Sequence, residues 1–153
     1  MKRLLLALAT LLLATWTLHS QEMQPAATVE RTVRFEAVDV YLDPQGEPLA
    51  AYQFELKDPS GDVAIVGIEG GDHPAFGEPP YYDPAALRHH RVIIAAFSTY
   101  TELPDTRTRV ARIHYQITGE QDAQLTIQLE VASSPDGRDI EGTTTSLQKG
   151  ELQ

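Results

Sequence analysis

Residues 111–131 read ARIHYQITGEQDAQLTIQLEV, and two runs within them alternate apolar and polar side chains. In the first run Ile113, Tyr115 and Ile117 alternate with polar residues, and residues 125–131 repeat the pattern. Because successive side chains of a strand point to opposite sides of a sheet, this period of two predicts two half-buried strands. The turn-forming residues 119–122 separate the runs and predict that they form a β-hairpin.

Similar short runs occupy most of the remaining chain and are separated by turns rich in Pro, Gly and Asp. The predicted strands are residues 33–42, 52–56, 63–68, 91–100, 111–117, 125–131 and 143–147. Many short strands without a helix of useful length are typical of an all-β fold. We therefore predict an antiparallel β-sandwich of jelly-roll or immunoglobulin-like type with seven to nine strands. A closed barrel is the alternative.

Three segments carry more detailed predictions. Residues 91–100, RVIIAAFSTY, are apolar in both phases and indicate a central strand that is covered on both faces. The apolar phase of residues 33–42 changes at Ala37 and Val38, which predicts a β-bulge or a change of sheet there. Only residues 84–90 have the composition of a helical turn.

The composition excludes several classes of function. The chain has 153 residues, 22 acidic against 12 basic side chains, and no cysteine. This length suits one domain, and a net charge of −10 argues against nucleic acid as a partner. Without cysteine there is no disulfide scaffold, no thiolate metal site, no cysteine nucleophile and no lipid-modified cysteine.

The N-terminus predicts export. Lys2 and Arg3 precede an uncharged stretch, residues 4–18, that is dominated by leucine and alanine and suits a signal peptide. We predict a signal peptide at 1–20 with cleavage after Ser20, a flexible lead-in at 21–30 and one domain at 31–150. Cleavage near Ala26 and an uncleaved membrane anchor are the alternatives, although bilayer spans are usually about 20 residues long. Loss of Lys2 and Arg3 would change the net charge from −10 to −12. The expected location is the periplasm or the extracellular medium, with no membrane attachment after cleavage.

Part of the chain resembles the cohesin modules of the cohesin and cellulose-binding-module superfamily. Residues 50–60, AAYQFELKDPS, are similar to a strand and turn of that family, and residues 63–71, VAIVGIEGG, are similar to the strand that follows it. The likeness extends over most of residues 33–149 and includes the predicted strands at 92–97, 110–117 and 125–131. The last of these strands leads into the segment DGRDI at 136–140. The resemblance implies a non-enzymatic module that binds a protein or a polysaccharide on a sheet face or loop rim. The protein partner that it implies is dockerin-like.

Residues 69–90 form an unusual stretch, EGGDHPAFGEPPYYDPAALRHH, that is rich in aromatic, proline and charged side chains. Loops on a rigid sandwich commonly carry binding residues, and prolines lower the entropic cost of binding. The predicted loop-rim binding residues are His73, Phe76, Tyr81, Tyr82 and Asp83. The alternative is that the three aromatic side chains cap the open end of the core.

The same loop offers oxygen and nitrogen ligands that would suit a calcium ion. These ligands are Asp72, His73, Glu78, Asp83, His89 and His90. Their spacing matches no metal signature, and solvated charges explain them more simply. A second acidic loop contains Asp136, Asp139 and Glu141, for which a turn is the simpler interpretation. We therefore predict no metal and no cofactor.

No catalytic residue is predicted, because the chain lacks a GxSxG elbow, a P-loop and an HExxH motif. His114 falls on the outward phase of its strand and is expected to be solvated. Arg107, Arg109 and Arg112 form an outward basic row. We expect this row to blunt an exposed sheet edge, whereas pairing with nearby acids or binding an acidic partner are the alternatives.

These observations favour an exported, non-enzymatic module for protein–protein interaction. A carbohydrate-binding module that stacks loop aromatics on a polysaccharide is the first alternative. A small hydrolase that uses carboxylates of the 69–90 loop is the second.

Overall fold

The computed structural model describes residues 32–151, and the predicted signal peptide and lead-in lie outside them. Eight strands occupy this part of the chain. They are β1 (Val33–Asp43), β2 (Ala51–Lys57), β3 (Val63–Gly70), β4 (Tyr81–Tyr82), β5 (Arg91–Phe97), β6 (Thr108–Thr118), β7 (Thr126–Ser133) and β8 (Thr144–Gly150).

The strands form two antiparallel sheets of four strands each. The first sheet has the order β3-β6-β1-β8, and the second sheet has the order β4-β5-β2-β7. The predicted all-β sandwich is therefore confirmed, with eight strands. Within residues 32–151 the helices are two 3₁₀ turns, Pro74–Phe76 and Pro84–Ala86, and neither is long enough to cross a membrane.

The core lies between the sheets and is built from alternate residues of nearly every strand. β1 contributes Val38, Val40 and Leu42, all buried, while the residues between them face outward. The largest fully buried side chains are Tyr52, Phe54, Leu42, Leu49, Leu56, Ile65, Ile94, Ile113, Ile117, Val40, Val92 and Val110. Burial of one large apolar side chain contributes about 1.5–3 kcal/mol, so the alternating pattern fixes which face of each strand points inward.

The predicted hairpin of residues 111–131 is wrong. β6 pairs with β1 and β3 in the first sheet, whereas β7 pairs with β2 in the second. The link between them crosses from one sheet to the other. The guanidinium of Arg34 stabilises this crossing. It donates hydrogen bonds to the carbonyls of Gly119 at 2.9 Å and Gln121 at 2.6 Å, and to the carboxylate of Asp122 at 2.9 Å. Alternation identifies the buried face of a strand but not its neighbour, which explains the error.

Two further predictions about strands are wrong. β5 is buried on one face only, because the described chain packs nothing against the side that carries Ile93 and Phe97. β1 keeps a single phase through Ala37 and Val38, and its register shift relative to β6 falls between Val40 and Tyr41. Phe35 consequently lies on the outer face of the first sheet and is exposed.

A buried carboxylate joins two of the turns. Asp58 follows β2, accepts a hydrogen bond from the hydroxyl of Ser60 and accepts the amide of Gln124 at 3.0 Å. Burial opposes ionisation, but the hydrogen bonds from Ser60, Gln124 and the following turn outweigh it and lower the pKa of Asp58. The ionised side chain therefore ties the β2–β3 turn to the crossing between the sheets.

Replacement of Asp58 by asparagine should lower the free energy of unfolding at neutral pH by about 2 kcal/mol, since asparagine keeps only one acceptor oxygen for the hydrogen bonds from Ser60 and Gln124. The lowered pKa makes the carboxylate stabilising above its unfolded-state pKa of about 3.9, and this contribution disappears as the pH falls through the folded-state pKa. Urea unfolding of both proteins at pH 7 and at several values below pH 4 measures the difference. A difference that stays constant or grows in acid would contradict this role of Asp58.

Candidate functional site

Phe76 belongs to the core and not to the surface of the 69–90 loop. Its side chain is 3% exposed and packs edge-on against Tyr52, with ring centroids 5.1 Å apart. The hydroxyl of Tyr52 donates to the carbonyl of Val110 at 3.0 Å, which holds the pair against β6. Phe76 thus fills the end of the sandwich, as the alternative interpretation of the loop aromatics expected, and its ring is not available to a ligand.

The two adjacent tyrosines point in opposite directions because they form a strand. Tyr81 pairs with Ala95, and Tyr82 pairs with Ile94. Tyr82 is half-buried against the core, whereas the side chain of Tyr81 is 74% exposed on the outer face of the second sheet. Tyr81 is therefore the one predicted loop aromatic that is freely presented to solvent.

His73 and Asp83 have local structural roles. The Nδ1 atom of His73 accepts the amide of Ala75 at 3.2 Å and caps the first 3₁₀ turn. The carboxylate of Asp83 accepts the amide of Ala85 at 2.9 Å and caps the second. These caps orient the loop, and Asp83 remains exposed beside Tyr82.

The path of the loop depends on two glycines at the end of β3. A Cβ atom added to Gly70 would lie 2.2 Å from the carbonyl oxygen of Gly77, and one added to Gly71 would lie 2.1 Å from that of Arg109. Both contacts are with backbone, which has little freedom to yield. The loop therefore passes over β6 more closely than any residue with a side chain would permit.

The outer face of the second sheet presents a largely apolar surface that the polar residue Gln53 interrupts. The register places Tyr81, Ala95, Gln53 and Val131 in one row across the four strands. Phe97 and Ala51 lie opposite one another in the next row, and Ile93 flanks the first row on the other side. We call this surface the apolar face; its members are Tyr81, Ile93, Ala95, Phe97, Ala51 and Val131.

The apolar face combines exposed large side chains with small ones. Phe97 is 68% exposed, and Ile93 and Val131 are also exposed. A shallow depression of about 280 Å³ lies between Tyr81, Phe97 and Val131, and its lining includes Ala51, Ala95 and Gln53. Clustered, exposed apolar side chains are a common feature of interaction sites, so this surface is the candidate site.

A second depression adjoins the apolar face on the side of the loop. It has a volume of about 620 Å³ and lies between residues 74–81 and 96–100. Tyr100 lines it and is 61% exposed, and Tyr81 and Phe97 border both depressions. Three exposed aromatic rings therefore surround one shallow surface.

Charged groups bound the apolar face at its other end. The guanidinium of Arg91 bonds the carboxylate of Glu55, with Nε to Oε2 at 2.8 Å, and the ammonium of Lys57 lies 3.6 Å from the same carboxylate. The hydrogen bond from Arg91 outweighs burial and lowers the pKa of Glu55. Within the face, Gln53 donates to Glu130 at 2.6 Å. Apolar side chains bordered by charged groups are typical of protein interfaces.

The charged side chains on the outer face of the first sheet pair with one another. The carboxylate of Asp39 is buried. It accepts hydrogen bonds from Arg112 Nε at 2.7 Å and from Arg109 at 3.2 Å, and Arg109 also pairs with Asp72. The hydrogen bond from Arg112 outweighs burial and, with that from Arg109, lowers the pKa of Asp39. Arg109 and Arg112 lie on β6, which is an inner strand of its sheet, so the expectation that the arginine row blunts a sheet edge is wrong. The structure shows the alternative for these two residues, which is pairing with acidic side chains.

Arg107, which precedes β6, and His114 of β6 also have partners. The guanidinium of Arg107 lies over the ring of Tyr41, 3.7 Å from its centroid. The Nε2 atom of His114 lies 2.8 Å from Oε1 of Glu69, and the histidine is half-buried rather than fully solvated. These contacts explain the outward charges of this face by packing within the domain.

The two acidic loops were also candidates for a metal. The carboxylate of Asp136 accepts one hydrogen bond from the hydroxyl of Ser134 and one from Arg138 Nε, each at 2.6 Å. These hydrogen bonds lower the pKa of Asp136 to about 2. Asp136 therefore closes a turn. In the part of the chain between residues 32 and 151, no three or more His, Asp or Glu side chains converge as metal ligands.

Sequence reasoning missed the apolar face because it treated residues 91–100 as buried on both sides. The signal was present, since Ile93, Ala95 and Phe97 occupy alternate positions of that run.

Comparison of the chain with protein-family models, with curated proteins and with solved structures finds no match in any of the three.

Proposed function

We propose that this chain is an exported protein-interaction module that binds a partner protein on the apolar face. The observation that carries the proposal is the exposure of Tyr81 and Phe97, together with Ile93 and Val131, on one side of the second sheet. Export is supported by the leader-like residues 1–20 and the interaction role by the cohesin-like runs at 50–60 and 63–71.

The chemistry of the face favours a protein over a sugar. Aliphatic and aromatic side chains dominate it, and Ala51 and Ala95 in its depression offer no side-chain hydrogen bonds. Gln53 also lines the depression, but its amide already donates to Glu130 at 2.6 Å. An apolar centre gains free energy by excluding water, at about 25 cal/mol per Å² of apolar area buried. Large side chains near the centre of such a surface usually supply most of the binding energy.

Replacement of both Tyr81 and Phe97 by alanine should weaken partner binding by roughly a hundredfold, because each truncation removes a central anchor. The double Val33→Ala/Phe35→Ala variant is the matched control, since it removes exposed apolar side chains from the outer face of the first sheet. Immobilised protein is exposed to extract of the source organism, and the captured protein is then titrated against all three forms. Equal affinity for the wild type and the Tyr81/Phe97 variant would refute the proposal.

A carbohydrate-binding role is the second candidate, and the observation that favours it is the ring of exposed Tyr81, Phe97 and Tyr100 around one depression. Exposed aromatic rings stack on sugar rings. Wild-type protein and the Tyr81→Ala/Phe97→Ala variant are passed over insoluble cellulose, chitin and xylan. Retention of the wild type alone would favour this role over protein binding, and no retention of either protein would remove it.

A further inference from the structure

The depression between residues 74–81 and 96–100 combines aromatic rings with a single charge. Its volume is about 620 Å³, and Tyr81, Phe97 and Tyr100, each more than half exposed, line it together. Among the described residues of its lining, Glu78 alone is charged, and its side chain is exposed. We call this depression the aromatic depression.

The domain does not use these rings or this carboxylate itself. The face of an aromatic ring attracts cations, and this chain already places the guanidinium of Arg107 3.7 Å from the centroid of the Tyr41 ring. Within residues 32–151, no lysine or arginine lies over any of the three rings of the aromatic depression. In the same part of the chain, Glu78 takes part in no ion pair. Both kinds of cation-binding group are therefore left for an occupant.

The register of β4 and β5 sets the spacing of two of the rings. Tyr81 pairs with Ala95, so Phe97 is its diagonal neighbour on the same face of the sheet. Diagonal neighbours on paired strands lie about 7–8 Å apart, and strand side chains stand roughly perpendicular to the sheet. A planar group needs about 3.5 Å to a ring on each side. The spacing of the Tyr81 and Phe97 side chains therefore suits a flat occupant.

The backbone around the aromatic depression offers few hydrogen-bond donors. Pro79 and Pro80 on one wall have no N–H group. On the other wall, the amide of Ser98 already donates to the carbonyl of Ala50 at 2.8 Å, and the amide of Tyr100 donates to the hydroxyl of Ser98 at 3.3 Å. A group that donates hydrogen bonds suits this site better than one that must accept them.

The charge of the whole protein also favours a cation. The net charge is −10, and most of the described lysine and arginine side chains are already paired with carboxylates. The surrounding potential therefore attracts positive groups. A guanidinium is planar, only donates hydrogen bonds, stacks on aromatic rings and is more weakly hydrated than an ammonium group. It matches the spacing, the donor balance and the charge of the aromatic depression.

We propose that the aromatic depression receives an arginine side chain of the partner protein, whose guanidinium stacks on the rings of Tyr81 and Phe97 and pairs with Glu78. The inference rests on the proposed docking function, because two of these residues belong to the apolar face. It adds a positively charged anchor to that interaction. The apolar face supplies affinity by excluding water, and the arginine makes the interface selective for charge.

Titration of the ¹⁵N-labelled protein with small probes tests the proposal directly. The probe is N-acetylarginine amide, and the matched control is N-acetylcitrulline amide, whose neutral urea group has nearly the same shape. At constant ionic strength, the arginine probe should shift the amide signals of Glu78, Ser98 and Thr99 saturably, with a dissociation constant on the order of 1–10 mM. We expect the citrulline probe to bind at least fivefold more weakly, and N-acetyllysine amide at least threefold more weakly.

Three variants locate the bound cation. Glu78→Gln should weaken the arginine probe about threefold, because it removes an exposed ion pair. Phe97→Leu keeps an apolar side chain but removes the ring, and should weaken the probe by about three- to fivefold. Glu102→Gln is the control for charge, since Glu102 is also exposed but does not line the depression. It should leave the affinity nearly unchanged.

Several results would overturn the proposal. They are no saturable shift with the arginine probe, equal affinity for the citrulline or the lysine probe, or equal weakening by Glu78→Gln and Glu102→Gln. If the arginine probe fails while the captured partner still depends on Tyr81 and Phe97, the arginine anchor is refuted and the docking proposal stands. A captured partner whose affinity is unchanged by the Tyr81→Ala/Phe97→Ala variant would refute both.

Discussion

Replacement of Gly71 by alanine is expected to destabilise the domain by about 4 kcal/mol or more, among the largest effects of a single substitution. The added Cβ would lie 2.1 Å from the carbonyl oxygen of Arg109 and 2.8 Å from the Cα of Val110. Both atoms belong to the backbone of β6, so relief requires the loop to move off the sheet. Thermal unfolding should show a fall in Tm of about 15 °C.

Gly77 provides the matched control within the same loop. Its φ of −71° suits any residue, and the nearest atoms to an added Cβ are 3.8 Å away. Gly77→Ala should therefore leave Tm nearly unchanged. Equal Tm values for Gly71→Ala and the wild type would show that the loop does not pass β6 as closely as described.

Replacement of Asp39 by alanine is expected to cost about 3–5 kcal/mol, because it leaves Arg109 and Arg112 together without their shared counter-ion in a largely buried position. Arg109 would retain Asp72, whereas Arg112 would lose both of its hydrogen bonds to carboxylate. Urea unfolding at neutral pH measures the loss of free energy.

Arg138→Ala is the control for this second prediction. Arg138 forms an ion pair with Asp136, but both side chains are exposed, and such pairs contribute little. Arg138→Ala leaves the hydrogen bond between Asp136 and Ser134 in place and should therefore unfold near the wild-type urea concentration. A similar loss in the two variants would mean that burial of the Asp39 network is not the source of its effect.

Residue alternation was sufficient to predict the sandwich and most of its buried positions. The inward residues Ile113, Ile117 and Leu56 all occupy the phase that their sequences indicate. Alternation carries no information about which strands are neighbours, and this is why β6 and β7 were paired wrongly. Their partners depend on contacts between residues far apart in sequence, such as Arg34 with Asp122.

The candidate site was predicted only in part, for a related reason. Phe76, Tyr81 and Tyr82 have similar chemistry, and only the tertiary structure separates the buried Phe76 from the exposed Tyr81. Phe97 was overlooked because an apolar run looks the same whether one or both of its faces are covered. The exposed side of β5 is defined by the absence of a packed neighbour in the described chain, which no local pattern reports.

The apolar face also gives a direct test of the central claim, through site-specific photo-crosslinking in the cell. p-Benzoylphenylalanine is placed at Phe97 on the apolar face and, in a separate strain, at Phe35 on the outer face of the first sheet; both side chains are exposed phenylalanines. Docking on the apolar face predicts a crosslinked partner from position 97 and none from position 35. A partner crosslinked from position 35 but not from position 97 would contradict it.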